Sequence, residues 1–204
     1  MYQPLSADDP AVIECNRYPR WELLGAVGLP IEEYSPETEG DIKLVRRLLL
    51  CPDSEIFVNY VNHKGATPLK YAAVRGNTAI VGELLKHPRV DINHATEVEG
   101  LTALLVASQD GNSEIVKLLL ERNETDVNLA SRRGLSPLQV ASMKGHVDVV
   151  ELLVAHPKIE VNHESWDPHG TALLSAILGG NSGRQFIKLF SNFTLFINIL
   201  IITL

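Results

Sequence analysis

Cysteine is scarce in this 204-residue sequence, and so are the marks of a secreted protein. Only Cys15 and Cys51 occur, and the opening MYQPLSADDP lacks the basic residues and the apolar run of a signal peptide. Proteins that depend on disulfide bonds are rich in cysteine and fold in oxidising compartments. The sequence therefore predicts reduced thiols and a cytoplasmic protein, with the nucleus as the alternative location.

Positive charge is also limited. The chain has 18 basic against 25 acidic residues, a net charge of −7. Residues 1–40 hold eight acidic residues against Arg17 and Arg20, a balance of −6, so the remainder is nearly neutral. A nucleic-acid partner requires a basic surface, which this composition does not supply. An apolar content of 45% is typical of a folded globular chain.

Familiar catalytic motifs are missing as well. The sequence has no G-x-S-x-G, H-E-x-x-H, C-x-x-C or P-loop pattern. The segment HESWDPH, from His163 to His169, gathers two histidines and two acidic residues, but polar residues at a loop tip are expected without any metal. We therefore predict that the chain is not an enzyme, has no cofactor and binds no metal.

What the sequence does contain is a repeated unit, seen most clearly in Arg132–Asn162. Ser136-Pro137 supplies a helix N-cap followed by the first helical position, where proline is favoured. Gly145 supplies a backbone that can reverse direction. The helix after it has an apolar stripe, formed by Val149, Val150, Leu152 and Leu153. One such unit leaves an apolar face uncovered, so it needs copies of itself as neighbours.

Four copies align along the chain. The residues that start the first helix are spaced 35, 34 and 35 apart: Thr67, Thr102, Ser136 and Thr171. Leucine follows two residues later in each copy, alanine five later and glycine nine later. Each unit is preceded by an asparagine: Asn59, Asn93, Asn128 and Asn162. A period near 34 with two helices per unit predicts a helical solenoid.

These units resemble the ankyrin repeat family. The segments ATPLKYAAVRGN, LTALLVASQDGN and LSPLQVASMKGH are similar to the family's T-P-L-H-x-A-A-x-x-G-H core, and VDIN, TDVN and IEVN are similar to its D-V-N ending. The resemblance extends over residues 40–181. It implies an all-α solenoid of the ankyrin type, in which helix-turn-helix units are joined by β-hairpin fingers.

Two departures from the family pattern recur. The family histidine after T-P-L helps to tie adjacent turns together by hydrogen bonds, and four other residues stand there: Lys70, Leu105, Gln139 and Leu174. That network must therefore be weaker or replaced. In addition, one extra residue precedes the closing asparagine in segments such as LLKHPRVDIN, which lengthens the loop after the second helix.

The sequence predicts a chain of three parts. Residues 1–39 form an N-terminal arm with a degenerate helix at 21–27 and an acidic insertion, which is either a recognition loop or a solvated loop. Residues 40–192 form the repeat domain: a partial opening repeat with its second helix near 40–50, three clean repeats, and a fourth that loses register after Gly180.

Residues 193–204, FTLFINILIITL, form an apolar tail without charge. The tail is shorter than the roughly 20 residues that a bilayer span needs. Three explanations stay open: a truncated or misread chain end, an apolar segment docked on the last repeat, or a membrane anchor.

The resemblance implies an adaptor, expected to be monomeric, that binds a protein partner on the concave surface of its fingers and first helices. The family's variable contact positions precede T-P-L and the second glycine. In this sequence they are His63, Lys64, Ala66, Val74, Arg75, Val98, Glu99, Leu101, Gln109, Asp110, Arg132, Arg133, Leu135, Met143 and Lys144. Two alternatives are a substrate-recruiting part of a larger enzyme or ubiquitin-ligase adaptor, and a tail-anchored adaptor.

Two asparagines are candidate modification sites. The segments LKHPRVDIN and LERNETDVN, which end at Asn93 and Asn128, resemble the leucine-to-acidic-to-asparagine pattern that ankyrin-directed asparaginyl hydroxylases accept. Asn59 and Asn162 lack the leading leucine and are expected to be poorer sites. The alternative is that these asparagines only hydrogen-bond the hairpin turn.

Overall fold

The computed structural model describes residues 42–49, 58–62, 65–165 and 171–178. Within these ranges the elements are short helices, with no strand. Their bounds are α1 Ile42–Leu49, α2 Pro68–Val74, α3 Thr78–Leu85, α4 Ala103–Asp110, α5 Ser113–Leu120, α6 Pro137–Lys144, α7 Val147–Val154 and α8 Ala172–Leu178. The N-terminal arm with its acidic insertion, the C-terminal tail and the break after Gly180 lie outside the described residues.

The helices form two layers. Helices α2, α4, α6 and α8 pack side by side as an inner layer, and α1, α3, α5 and α7 pack in the same order as an outer layer. Each of α2, α4 and α6 also packs on the outer helix that follows it in the chain. This arrangement confirms the predicted all-α solenoid.

The apolar core lies between the two layers and runs continuously from repeat to repeat. The repeated leucines Leu69, Leu104 and Leu138 are 2% exposed or less. The repeated alanines of the inner helices, which let those helices approach closely, are fully buried: Ala72, Ala107 and Ala141. Outer helices contribute an equivalent valine column: Val45, Val81, Val116 and Val150. Each unit thus covers the apolar face that its neighbour leaves open.

The inner helices begin where the sequence predicts. The hydroxyl oxygens of Thr67, Thr102 and Ser136 accept hydrogen bonds from backbone N–H groups three residues later, at 3.3, 3.1 and 3.3 Å. Such a cap satisfies one of the N–H groups that a helix start leaves unpaired, and its loss costs about 1 kcal/mol. The caps therefore fix the point at which each finger enters its helix.

The fingers are tight turns, and here the expectation of β-hairpins is corrected. We name them finger 1 (residues 62–66, of which 63 and 64 are not described), finger 2 (residues 96–101) and finger 3 (residues 131–135). In each, the first residue's backbone N–H donates to the last residue's carbonyl, at 3.1, 3.2 and 3.0 Å. The reciprocal N–H instead donates to a side-chain oxygen, that of Asn62, Thr96 or Ser131. Because that side chain replaces the second rung, the described residues of the fingers form no strand ladder.

Finger 2 and finger 3 are in direct backbone contact. The Arg132 N–H donates to the Glu99 carbonyl at 2.9 Å. A Cβ added to Gly100, whose φ is +68°, would lie 2.8 Å from the Arg132 nitrogen. The left-handed backbone and the close approach of finger 3 both require glycine at this position.

We expect Gly100→Ala to destabilise the protein more than Gly65→Ala. Both glycines have positive φ, so alanine costs each about 1 kcal/mol. A Cβ on Gly65 meets its nearest atom at 3.6 Å, an ordinary contact, whereas one on Gly100 overlaps finger 3. The excess for Gly100→Ala should be roughly 1–2 kcal/mol. Urea denaturation of both variants measures it, and equal losses of unfolding free energy would show that the fingers can separate without cost.

Candidate interaction surface of the fingers and inner helices

The predicted contact residues lie in two places on each repeat: the fingers and the C-terminal ends of the inner helices. Exposed residues of this set are Val74, Arg75, Val98, Glu99, Gln109, Asp110, Arg132, Arg133 and Lys144. Leu101 and Met143 are half-buried. His63 and Lys64 lie outside the described residues. An inner helix of eight residues is about 12 Å long, which sets the separation of the two rows.

Two residues of the predicted set point inward. Ala66 and Leu135, the last residues of fingers 1 and 3, are only 7% and 6% exposed. Leu135 packs with Leu105 and Val140, with Leu101 beside them, in a second apolar cluster. These residues hold the fingers against the inner helices and offer little area to a partner. The spacing pattern could not separate them from their exposed neighbours, since both occupy the same short turn.

The missing family histidine is replaced differently in successive repeats. In one repeat Leu105 takes its place by joining that second apolar cluster. In the next, the Gln139 side chain accepts from the Ser136 backbone N–H at 2.8 Å and donates to the His163 carbonyl at 3.2 Å. Gln139 is 1% exposed. The histidine hydrogen bonds are thus replaced by apolar packing at Leu105 and by the side-chain hydrogen bonds of Gln139.

Lys70 fills the same position in the first clean repeat. It is 9% exposed, and this burial lowers the pKa of its ammonium group, while the negative charge of Glu99 acts in the opposite direction. The charge on finger 2 therefore acts electrostatically on a buried lysine of the preceding repeat.

The histidines that directly follow the boundary asparagines Asn93 and Asn162 link adjacent repeats. The Nε2 atoms of His94 and His163 lie 3.3 and 3.1 Å from the carbonyl oxygens of Gly65 and Gly134, as donors in the tautomer that carries the proton there. His163 belongs to the HESWDPH segment, whose residues 166–169 lie outside the described ranges. Among the described residues no group of three potential metal ligands comes together.

The asparagines at the repeat boundaries form a ladder that the sequence did not reveal. The Asn59 amide donates to the Arg89 carbonyl and accepts from the Asp91 N–H, both at 2.7 Å. Asn93 makes the same pair of bonds to Glu124 and Asp126, both at 2.8 Å. Asn128 repeats them with Lys158 and Glu160 at 2.7 and 2.9 Å.

These bonds join one repeat to the next, whereas the sequence suggested bonds within a hairpin turn. The constant spacing of the asparagines was the available signal, because a side chain that must bridge two repeats has to recur once per repeat. Both ends of each amide are engaged by backbone, so each of these asparagines is a connector in the folded chain.

Comparison with known protein families agrees with this geometry. A family model described as ankyrin repeats (3 copies) matches residues 37–131 and 111–192. The match covers most of the chain, and the chain belongs to the ankyrin repeat family. No curated protein gives a significant match to the sequence.

Ankyrin repeats generally mediate protein–protein interactions and are typically non-catalytic. None of the helices in the described ranges combines the length and the apolar character that crossing a membrane requires.

We expect Gln139→Leu to destabilise the protein by about 1–3 kcal/mol, because the buried Ser136 N–H and the His163 carbonyl lose their partner. The matched control is Gln109→Leu on the exposed end of α4, where the change should stay within about 0.5 kcal/mol. Chemical denaturation of both variants provides the comparison. A Gln139→Leu variant as stable as the parent would mean that the apolar solution found at Leu105 serves equally well there.

Proposed function

We propose that this protein is an adaptor that binds a protein partner through its fingers and the exposed ends of its inner helices. The observation that supports it most is the contrast between two sets of positions in one repeat. The recurring leucines and alanines of the inner helices are buried, as Leu104 is at 2%, whereas most of the varying residues at the finger tips and the inner-helix ends are exposed, as Val98 is at 85%. A rigid repeated scaffold thus presents a varied surface, which is how solenoids achieve recognition.

The charge on this surface changes sign between repeats. Arg75 is basic, Glu99 and Asp110 are acidic, and the next repeat has Arg132, Arg133 and Lys144. Lys64, which the sequence places in the first basic group, is outside the described residues. Because adjacent repeats stack side by side, the charges form stripes across the surface.

An extended partner segment with an acidic, a basic and again an acidic group would match the three stripes. Complementary charges of this kind govern the association rate and the choice of partner more than the total affinity. The third stripe should contribute most, since an arginine can bind a carboxylate with two parallel hydrogen bonds.

We expect the double substitution Arg132→Glu with Arg133→Glu to weaken partner binding more than about tenfold, a loss of about 1.4 kcal/mol. Raising the salt concentration should weaken the parent complex and hardly affect the variant. Isothermal titration of both proteins with a recovered partner at two salt concentrations measures this effect.

The matched control for that experiment is Lys117→Glu with Lys158→Glu, which changes net charge equally at exposed positions away from the fingers. Its affinity should stay close to that of the parent. Equal losses in the two double variants would indicate a general charge effect, and unchanged affinity in the arginine variant would place the binding surface elsewhere.

We further propose that Asn93 and Asn128 are the preferred sites for an ankyrin-directed asparaginyl hydroxylase. Both side chains are hydrogen-bonded to the following repeat, so an enzyme reaches them only when the chain opens locally. Asn162 is exposed but lacks the leading leucine. Sequence pattern and accessibility therefore favour different asparagines.

We expect mass spectrometry after incubation with such a hydroxylase to find added oxygen on Asn93 and Asn128 ahead of Asn162. Partial unfolding in low urea should accelerate the reaction at Asn93 and Asn128, because it increases the open population. Preferential oxidation of Asn162 would instead mean that accessibility outweighs the sequence pattern.

A further inference from the structure

The most exposed large apolar side chain in the described ranges is Val98, at the tip of finger 2. It is 85% exposed, whereas the other exposed large apolar side chains there range from 39% to 49%. A single exposed aliphatic residue needs no explanation by itself. Its surroundings are what make this one unusual.

Finger 2 is one residue longer than the fingers on either side. Its closing hydrogen bond joins residues 96 and 101, whereas the equivalent bonds join residues 62 and 66, and 131 and 135. The Gly100 N–H accordingly donates four residues back, to the Thr96 carbonyl at 2.8 Å, and the other two finger glycines donate three residues back. The inserted residue lengthens the loop from which Val98 projects.

Acidic residues flank Val98 on both sides. Glu97 and Glu99 are exposed, and neither forms an ion pair with another described residue. Finger 3, with Arg132 and Arg133 exposed at its tip, is bonded directly to finger 2 through the Glu99 carbonyl. An apolar tip with an acidic rim thus stands next to a basic tip.

This tip is held in place at its base. The Thr96 side chain is 4% exposed and its hydroxyl accepts from the Leu101 N–H at 3.0 Å. The contact of Gly100 with finger 3 fixes the other limb. Ordering a loop on binding reduces affinity, so a loop anchored before binding can use its contacts more fully.

The charges restrict the class of partner. Nucleic acids and anionic lipid headgroups carry phosphates, which the two carboxylates would repel. A protein segment can offer cations and an apolar side chain together.

We infer that finger 2 recognises a basic–apolar–basic stretch in the partner, with an acidic residue beyond it facing Arg132. The apolar side chain covers Val98, and the two cations face Glu97 and Glu99. This inference rests on the proposed function and specifies the middle of the three charge stripes. It adds an apolar contact that charge alone does not predict.

The test uses a displayed library of short random peptides, selected on the full-length chain. Enriched peptides should share lysine or arginine on both sides of a large aliphatic or aromatic residue. Synthetic copies of them should bind Val98→Thr about tenfold more weakly by fluorescence anisotropy, because threonine keeps the shape of valine and removes apolar surface. Glu97→Gln should cause a similar loss, and Val98→Leu should retain affinity.

Glu121→Gln, an exposed acidic residue at the end of α5, is the matched control and should leave peptide affinity unchanged. Thermal unfolding of each variant establishes that the fold is intact. Glu97 is the preferred charge substitution, because removing Glu99 would also alter the environment of Lys70.

The outcomes separate the inference from the proposed function. Peptides that lose affinity with the double arginine variant but not with Val98→Thr or Glu97→Gln would overturn the inference and leave the proposed function standing. Peptides indifferent to all of these substitutions, or a selection that enriches none, would overturn both.

Discussion

The structure depends on the stacking of repeats, because a single pair of eight-residue helices leaves an apolar face exposed to water. Isolated helices of this length are unstable in water, because too few hydrogen bonds offset the cost of starting a helix. Stacking buries this apolar surface, because each repeat covers the apolar face of its neighbour. The stability of any unit in this chain is therefore shared with its neighbours.

Polar contacts between repeats set the stacking geometry that the apolar core leaves open. Apolar burial has no preferred direction, so leucine columns alone would permit small shifts between repeats. The asparagine ladder supplies fixed donors and acceptors once per repeat, and the Arg132 N–H bond to Glu99 does so between fingers. Hydrogen bonds are directional, which is why they give a solenoid one defined spacing.

The residues that hold the repeats together differ from those that are available to bind a partner. Positions that maintain the stack tolerate little change: a Cβ at Gly100 would collide with finger 3, and Gln139 has partners on two sides. Side chains at the finger tips, such as Val98 and Arg132, are exposed. The additional residue in finger 2 lengthens the loop that carries Val98.

Sequence by itself determined the repeat boundaries, the helix starts and the fold class, because these follow from local rules. A capping hydroxyl at Ser136, a turn glycine at Gly145 and an apolar stripe in α7 each act within a few residues. Tertiary structure alone decided which finger residues face outward, that Leu105 and Gln139 replace one histidine in different ways, and that asparagines bridge repeats. Those outcomes depend on residues about 30 positions away, whose distance in space the one-dimensional pattern does not contain.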